Sequence, residues 1–173
     1  PKWLDIFGHF IAIQLAHRVI VHCQEAKRLM SEKYHRKKGI YIVDHPNYAD
    51  NYPNSISMQE ARIHFKGIDN SHVVFSFIGG IRPNKGIETL ITAFRQIDDP
   101  NIRLIIAGNP QEPETYAESL IALSTDDERI QCHFLHIPNE EMQIYLNASD
   151  IVVLPFTRIL TSGSALLAMS FGK

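Results

Sequence analysis

The run Val73-Val-Phe-Ser-Phe-Ile-Gly-Gly-Ile-Arg-Pro-Asn-Lys-Gly-Ile-Glu-Thr-Leu-Ile-Thr-Ala-Phe94 constrains the fold more than any other part of this sequence. It opens with β-branched and aromatic residues, breaks at Gly79 and Gly80, places cations at Arg82 and Lys85, and resumes at helical spacing from Ile87. The pattern predicts a strand, a glycine loop and a helix. Such a loop lies at the carboxyl end of a parallel strand, where open α/β sheets take their ligands. Its backbone N–H groups and the helix dipole favour an anion there. The expected ligand is a phosphate.

The remaining segments extend this unit in both directions. Trp3, Leu4, Phe7, Phe10, Ile11, Gln14 and Leu15 recur at three- and four-residue intervals and predict an amphipathic helix to about His17. Its apolar stripe is expected to join a core rather than a membrane surface, since only Lys2 and Arg18 supply positive charge beside it. Arg18-Val-Ile-Val-His22 reads as a short buried strand, Gln24 to His35 as a helix, and Ile40-Tyr-Ile-Val43 as the next strand. From Asp44 to Ser57, prolines and asparagines without apolar periodicity mark a linker. Ser57-Met-Gln-Glu60 is a capping box opening a helix to about Phe65. Strands over 73–79, 102–107, 129–135 and 151–154 then alternate with helices over 87–97, 115–124 and 140–148. That alternation implies a parallel, doubly wound α/β sheet.

Composition removes several function classes. A formal charge of −2 gives no general attraction to nucleic acid. Cys23 and Cys132 stand in different segments without metal-ligand or redox spacing, which fits a reducing compartment, so a cytoplasmic location is the default. Cys132, Phe134 and His136 would share a strand face, but two ligands do not make a metal site, and no metal is expected. No stretch has the length of a membrane span, and the start lacks a signal peptide's features. Without an initiator Met, and with its last motif reaching Gly172-Lys173, the chain is expected to be an internal segment cut at both ends. Nucleophile-elbow, P-loop, zinc-protease and complete dinucleotide fingerprints are all missing.

Gly79-Gly80-Ile-Arg82-Pro-Asn-Lys85-Gly86 with the helix after it resembles the G-x-x-x-x-K-G loop that opens the donor domain of family 4 retaining glycosyltransferases. The likeness continues through Ile105-Ile-Ala-Gly108-Asn-Pro110 and Leu146-Asn-Ala-Ser-Asp150-Ile-Val-Val-Leu-Pro155, in the family's order and spacing. The resemblance implies a GT-B architecture: a Rossmann-like, doubly wound sheet with helices on both faces, truncated at both ends. Residues 1–45 would be the tail of the acceptor domain, 46–71 the linker and first donor-domain helix, and 72–173 an incomplete nucleotide-sugar donor domain.

It further implies transfer of a sugar from a nucleotide diphosphate sugar to an acceptor hydroxyl, with retention and without a metal or other cofactor. The acceptor would be a saccharide or a lipid-linked molecule, in polysaccharide or glycolipid synthesis. No nucleic acid partner is implied. Contact with the inner face of a membrane would come through the missing part.

Arg82 and Lys85 are the implied catalytic pair, neutralising the leaving diphosphate, with Gly79, Gly80, Thr161, Ser162, Gly163 and Ser164 also holding it. The last four lie in Arg158-Ile-Leu-Thr-Ser-Gly-Ser-Ala-Leu-Leu-Ala168, a small-residue turn entering an apolar helix, where Ser or Thr caps and free N–H groups receive phosphate. Leu135, His136 and Ile137 would hold the base through backbone groups. His45 and Asn109 would face the cleft, with Pro46 in the place of the family's flexible glycine. The family's two glutamates, near the donor sugar and the ribose, are replaced by Ile159 and Leu167, and no carboxylate follows Asp150. A noncatalytic nucleotide-sugar-binding relative and a GT-B sugar-nucleotide epimerase therefore stand as alternatives.

Overall fold

Strand-forming and amphipathic runs alternate along the chain, and most become the element that their period dictates. The computed structural model describes residues 2–111, 114–157 and 159–173, the side chains of residues 2–5 and of Glu114 excepted. Two compact units form, Pro1–Pro46 with Ile159–Ser162, and Asn47–Arg158 with Gly163–Lys173.

The first unit contains α1 (Lys2–Leu15), β1 (Val19–Val21), α2 (Gln24–Tyr34) and β2 (Ile40–Ile42). β1 and β2 pair in parallel, Val19 opposite Ile40 and Val21 opposite Ile42. α2 is capped by Cys23, whose Sγ accepts from the Ala26 N–H, and it stops where His35 turns left-handed with φ 53°. Burial here is sparse. Val21 and Ile40 are its buried apolar residues among those described, and α2 buries none. The expectation that α1 feeds a core is not met within this chain: Ile6, Phe7, Phe10, Ile11 and Leu15 are all exposed. The apolar stripe has the right period, but among the described residues it stays largely exposed, Phe10 meeting the Tyr34 ring at 6.4 Å.

The second unit runs α3 (Met58–Arg62), β3 (Val73–Ile78), α4 (Ile87–Arg95), β4 (Ile102–Ala107), α5 (Glu114–Ser124), β5 (Ile130–His133), α6 (Met142–Ala148), β6 (Ile151–Val152) and α7 (Gly163–Ser170). Its four strands are all parallel, in the order β5-β4-β3-β6. The chain steps from β3 outward to β5, then returns to place β6 on the other side of β3. Strand order therefore reverses at β3, which is where such sheets bind ligands.

Alternating residues supply a core on each face of the sheet. Val74, Ile78, Ile105 and Ala107 pack with Ala61 of α3, Phe65 in the turn after it, Leu146 of α6 and Leu167 of α7. Phe77, Leu104 and Ile106 pack with Ile87, Leu90, Ile91, Phe94 and Leu120 from α4 and α5. The four α4 residues recur at helical spacing, and each such side chain contributes roughly 1.5–3 kcal/mol when buried.

The predicted capping box forms: the Glu60 N–H donates to Ser57 Oγ at 3.2 Å and the Ser57 N–H to Glu60 Oε2 at 2.7 Å. α3 then ends earlier than expected, because His64 and Phe65 donate three residues back in tighter turns. β5 leaves the ladder at His133, whose carbonyl takes the Leu135 N–H. β6 contributes two residues to the sheet, followed by a Val153 N–H bond to Ser76 O before Pro155 ends the donor series. Among the described residues, no helix is long and apolar enough to cross a membrane.

Candidate functional site

At the strand-order reversal, the carboxyl ends of β3 and β4 open into a pocket of about 280 Å³. Gly79, Gly80 and Gly108 form its floor, with Gly163, Ser164 and Leu167 from α7, and Ile137, Met142, Tyr48 and Tyr52 completing the lining. Backbone geometry draws these strand ends together. Gly79 N–H donates to Ala107 O, Gly108 N–H to His133 O, and Ile81 N–H to Asn109 O. At Gly108, φ is +145° and a Cβ would stand 1.9 Å from the Gly79 carbonyl oxygen, so only glycine permits this approach. Ser164 Oγ would stand 3.1 Å from a Cβ at Gly79, which places this hydroxyl directly beside the strand end. The start of α7, at Gly163, carries the positive end of the helix dipole.

Beyond the glycines, Pro83–Lys85 forms a single 3₁₀ turn that carries Lys85 and leads into α4 through Gly86. Gly86 adopts φ +70°, and a Cβ would meet Pro155 O at 2.1 Å, so the loop and the segment after β6 press together here. Lys85 Nζ lies 4.0 Å from the centre of the Phe156 ring. Partial burial, and then the charge of Arg82, push the Lys85 ammonium below the ordinary lysine range. Arg82 is exposed, and neither cation forms an ion pair with a described residue. Two mutually repelling cations beside a glycine-lined strand end suit an anionic ligand.

The structure gathers only some of the expected site residues. Gly79, Gly80, Gly163, Ser164 and Ile137 line the one pocket, while Arg82 and Lys85 lie on the adjoining turn outside its lining. Leu135 and His136 are exposed and lie outside that lining. Asn109 is also outside the lining; its side chain is exposed and its carbonyl instead anchors Ile81. Thr161 and Ser162 group with the first unit, as does His45, whose Nδ1 lies 3.0 Å from Pro46 O and whose ring packs 5.3 Å from that of His22. Arg158 falls outside the described residues. Ile159 is exposed, whereas Leu167 lines the pocket.

His133 lies on the opposite strand face from Cys132, edge-on to Phe65 and Tyr145 at 5.3 and 5.7 Å, and burial holds its imidazole below the usual range. Cys132 meets Ser124 Oγ, and burial pushes its thiol up. No group of three or more metal-binding side chains gathers among the described residues.

Residues 58–173 match the family model for glycosyl transferases group 1. The chain belongs to this family. Among curated relatives, a GDP-mannose:glycolipid 4-beta-D-mannosyltransferase of Xanthomonas campestris pv. campestris is 35% identical over 97 residues, 55% of this chain and 27% of that protein. The chain thus spans about a quarter of that relative's length. Among solved structures, sucrose-phosphate synthase from Thermosynechococcus elongatus superposes with a TM-score of 0.77 at 19% identity, over 95% of this chain and 41% of the other. Anabaena HepE in complex with UDP-glucose gives 0.78 at 20% identity, over 94% and 44%. The chain shares with these structures a GT-B architecture of parallel sheets covered by helices.

Tyr48, Tyr52 and Met142 were not legible as site residues. The tyrosines sit in an aperiodic linker and Met142 at a helix start, and nothing local in the sequence tells that the fold turns them to the same pocket.

Proposed function

We propose that this protein transfers a sugar from a nucleotide diphosphate sugar to an acceptor hydroxyl, with retention, as a family 4 enzyme. The observation that carries this reading is the glycine-lined pocket at the reversal of strand order, with the α7 N-terminus on one side and the Arg82–Lys85 turn beside it. The diphosphate would lie over Gly79, Gly80, Gly163 and Ser164. Arg82 and Lys85 would take up the negative charge that grows as it leaves, in place of a metal. The base would sit near Leu135, His136 and Ile137. Residues 72–173 then form the donor domain, residues 46–71 its linker and first helix, and residues 1–45 the end of the acceptor domain.

The mannosyl donor and glycolipid acceptor in the Xanthomonas relative's name make a lipid-linked or saccharide acceptor at the inner face of a membrane the natural proposal here. Calorimetric titration of the full-length protein with UDP, GDP and ADP in EDTA tests the donor site. One nucleotide should bind without metal. Arg82→Ala and Lys85→Ala should each weaken it about 10- to 100-fold, since a hydrogen bond to a charged group contributes roughly 1.5–3 kcal/mol. Unchanged affinity in the double variant would end this assignment.

One observation favours a second reading. No carboxylate is present among the described residues that line the pocket, and Leu167 presents a hydrocarbon there. A noncatalytic nucleotide-sugar-binding protein would bind the nucleotide equally well and show no turnover with any acceptor. Release of free sugar or nucleotide without an acceptor would instead mark an epimerase.

A further inference from the structure

We propose that Tyr48 and Tyr52 form the wall that receives the nucleoside part of the donor and set how tightly it is held. This rests on the donor-site reading above. Both rings line the pocket whose floor is Gly79, Gly80 and Gly108. They meet edge to face, with centroids 5.8 Å apart and planes at 79°, so each limits the other's rotation. Both are half-buried and rest on the core beneath the sheet's carboxyl edge. The segment that carries them is fixed to α7, because the Tyr48 N–H donates to Ser170 Oγ at 3.0 Å and that hydroxyl donates to Leu166 O at 2.7 Å. The platform is therefore built in advance of any ligand, which lowers the ordering cost of binding.

The rest of the lining shows what such a wall would serve. Among the described lining residues none is charged, and Ser164 and the two tyrosines supply all the polar side-chain groups. The Gly80 loop and the start of α7 serve a phosphate; they offer nothing to a planar base or to ribose hydroxyls. The side chains of Ile78, Ile137, Met142 and Leu167 add apolar surface and no hydrogen bond, and the backbone of 135–137 would meet the edge of the base without giving its face a platform. An aromatic ring takes any base by its face, and a phenol bonds a sugar hydroxyl where no carboxylate is present. The tyrosine pair supplies both in one place.

The test uses the full-length protein, calorimetry, and four probes: UDP, GDP, ADP and inorganic pyrophosphate. Tyr48→Leu and Tyr52→Leu should each weaken the preferred nucleoside diphosphate about tenfold and leave pyrophosphate affinity essentially unchanged. Tyr52→Trp should keep the nucleotide affinity, and the introduced indole should be quenched by the nucleoside diphosphate and not by pyrophosphate. This variant decides the matter if leucine is not tolerated in the fold. Nucleotide affinity unaffected by either leucine, an equal loss for pyrophosphate, or an unquenched indole would each overturn the inference while leaving the phosphate site standing. A wild-type protein that binds none of the four probes would remove the donor-site reading, and this inference with it.

Discussion

Single residues decide how closely the strand ends approach. Gly108→Ala would drive a methyl group to 1.9 Å from the Gly79 carbonyl, against backbone that cannot rotate away. We expect a loss of about 3 kcal/mol or more, seen as a melting temperature lowered by roughly 10 °C. A neutral substitution would mean that the floor of the pocket is not closed in this way. Lys85 gives a prediction in pH. Its ammonium titrates below the ordinary lysine range because of burial first and Arg82 second, so positive charge is lost as pH rises through that lowered value. Nucleotide affinity should therefore decline on the alkaline side before an unperturbed lysine would. Removing the like charge with Arg82→Gln should move that decline to higher pH, which a series of affinities against pH would reveal.

At the scale of elements, one buried side chain joins three of them. Arg62 is 2% exposed; Nε donates to Ala148 O, Nη1 to Asp69 O and His72 O, and Nη2 to Asp150 Oδ2 at 2.6 Å. The same Asp150 oxygen accepts the Val74 N–H at 2.7 Å, so the end of α3 is tied to the starts of β3 and β6. Lys173 adds a bond from Nζ to Ser149 O. Arg62→Met should cost about 3–5 kcal/mol in chemical unfolding, because it leaves a carboxylate and three carbonyls without their donor. Asp150→Asn should cost less, since the amide oxygen still accepts. The element boundaries follow equally local causes: the Ser57 and Glu60 exchange starts α3 where the sequence marks it, while the three-residue turns at His64 and Phe65 end it early.

For the molecule as a whole, the two units differ in how much apolar surface they bury. The second unit encloses its four-stranded sheet between two cores, with Phe77, Leu104, Ile105 and Ile106 fully inaccessible. The first has a two-stranded sheet, an α2 with no buried residue, and an α1 whose apolar stripe faces solvent. Native-state hydrogen exchange on this chain should therefore show the β1 and β2 amides exchanging at least about 100-fold faster than those of β3 and β4. Equal protection would show that the first unit is stabilised by something other than burial.

The sequence by itself determined the order of elements, the parallel class of the sheet and the glycine loop, because periodicity, capping and glycine placement act over a few residues and need no partner. Gly79, Gly80, Gly163, Ser164 and Ile137, which the resemblance brings together, line one pocket. Tertiary structure alone decided that Tyr48 and Tyr52 join them, that Asn109 contributes a carbonyl rather than a side chain, and that Leu167 stands in the lining. Such choices depend on groups far apart in the chain, as with Tyr48 and Ser170, and no local pattern encodes which distant surface a side chain will meet. The exposed stripe of α1 marks the same boundary, since its spacing specifies a helix face and not what covers it.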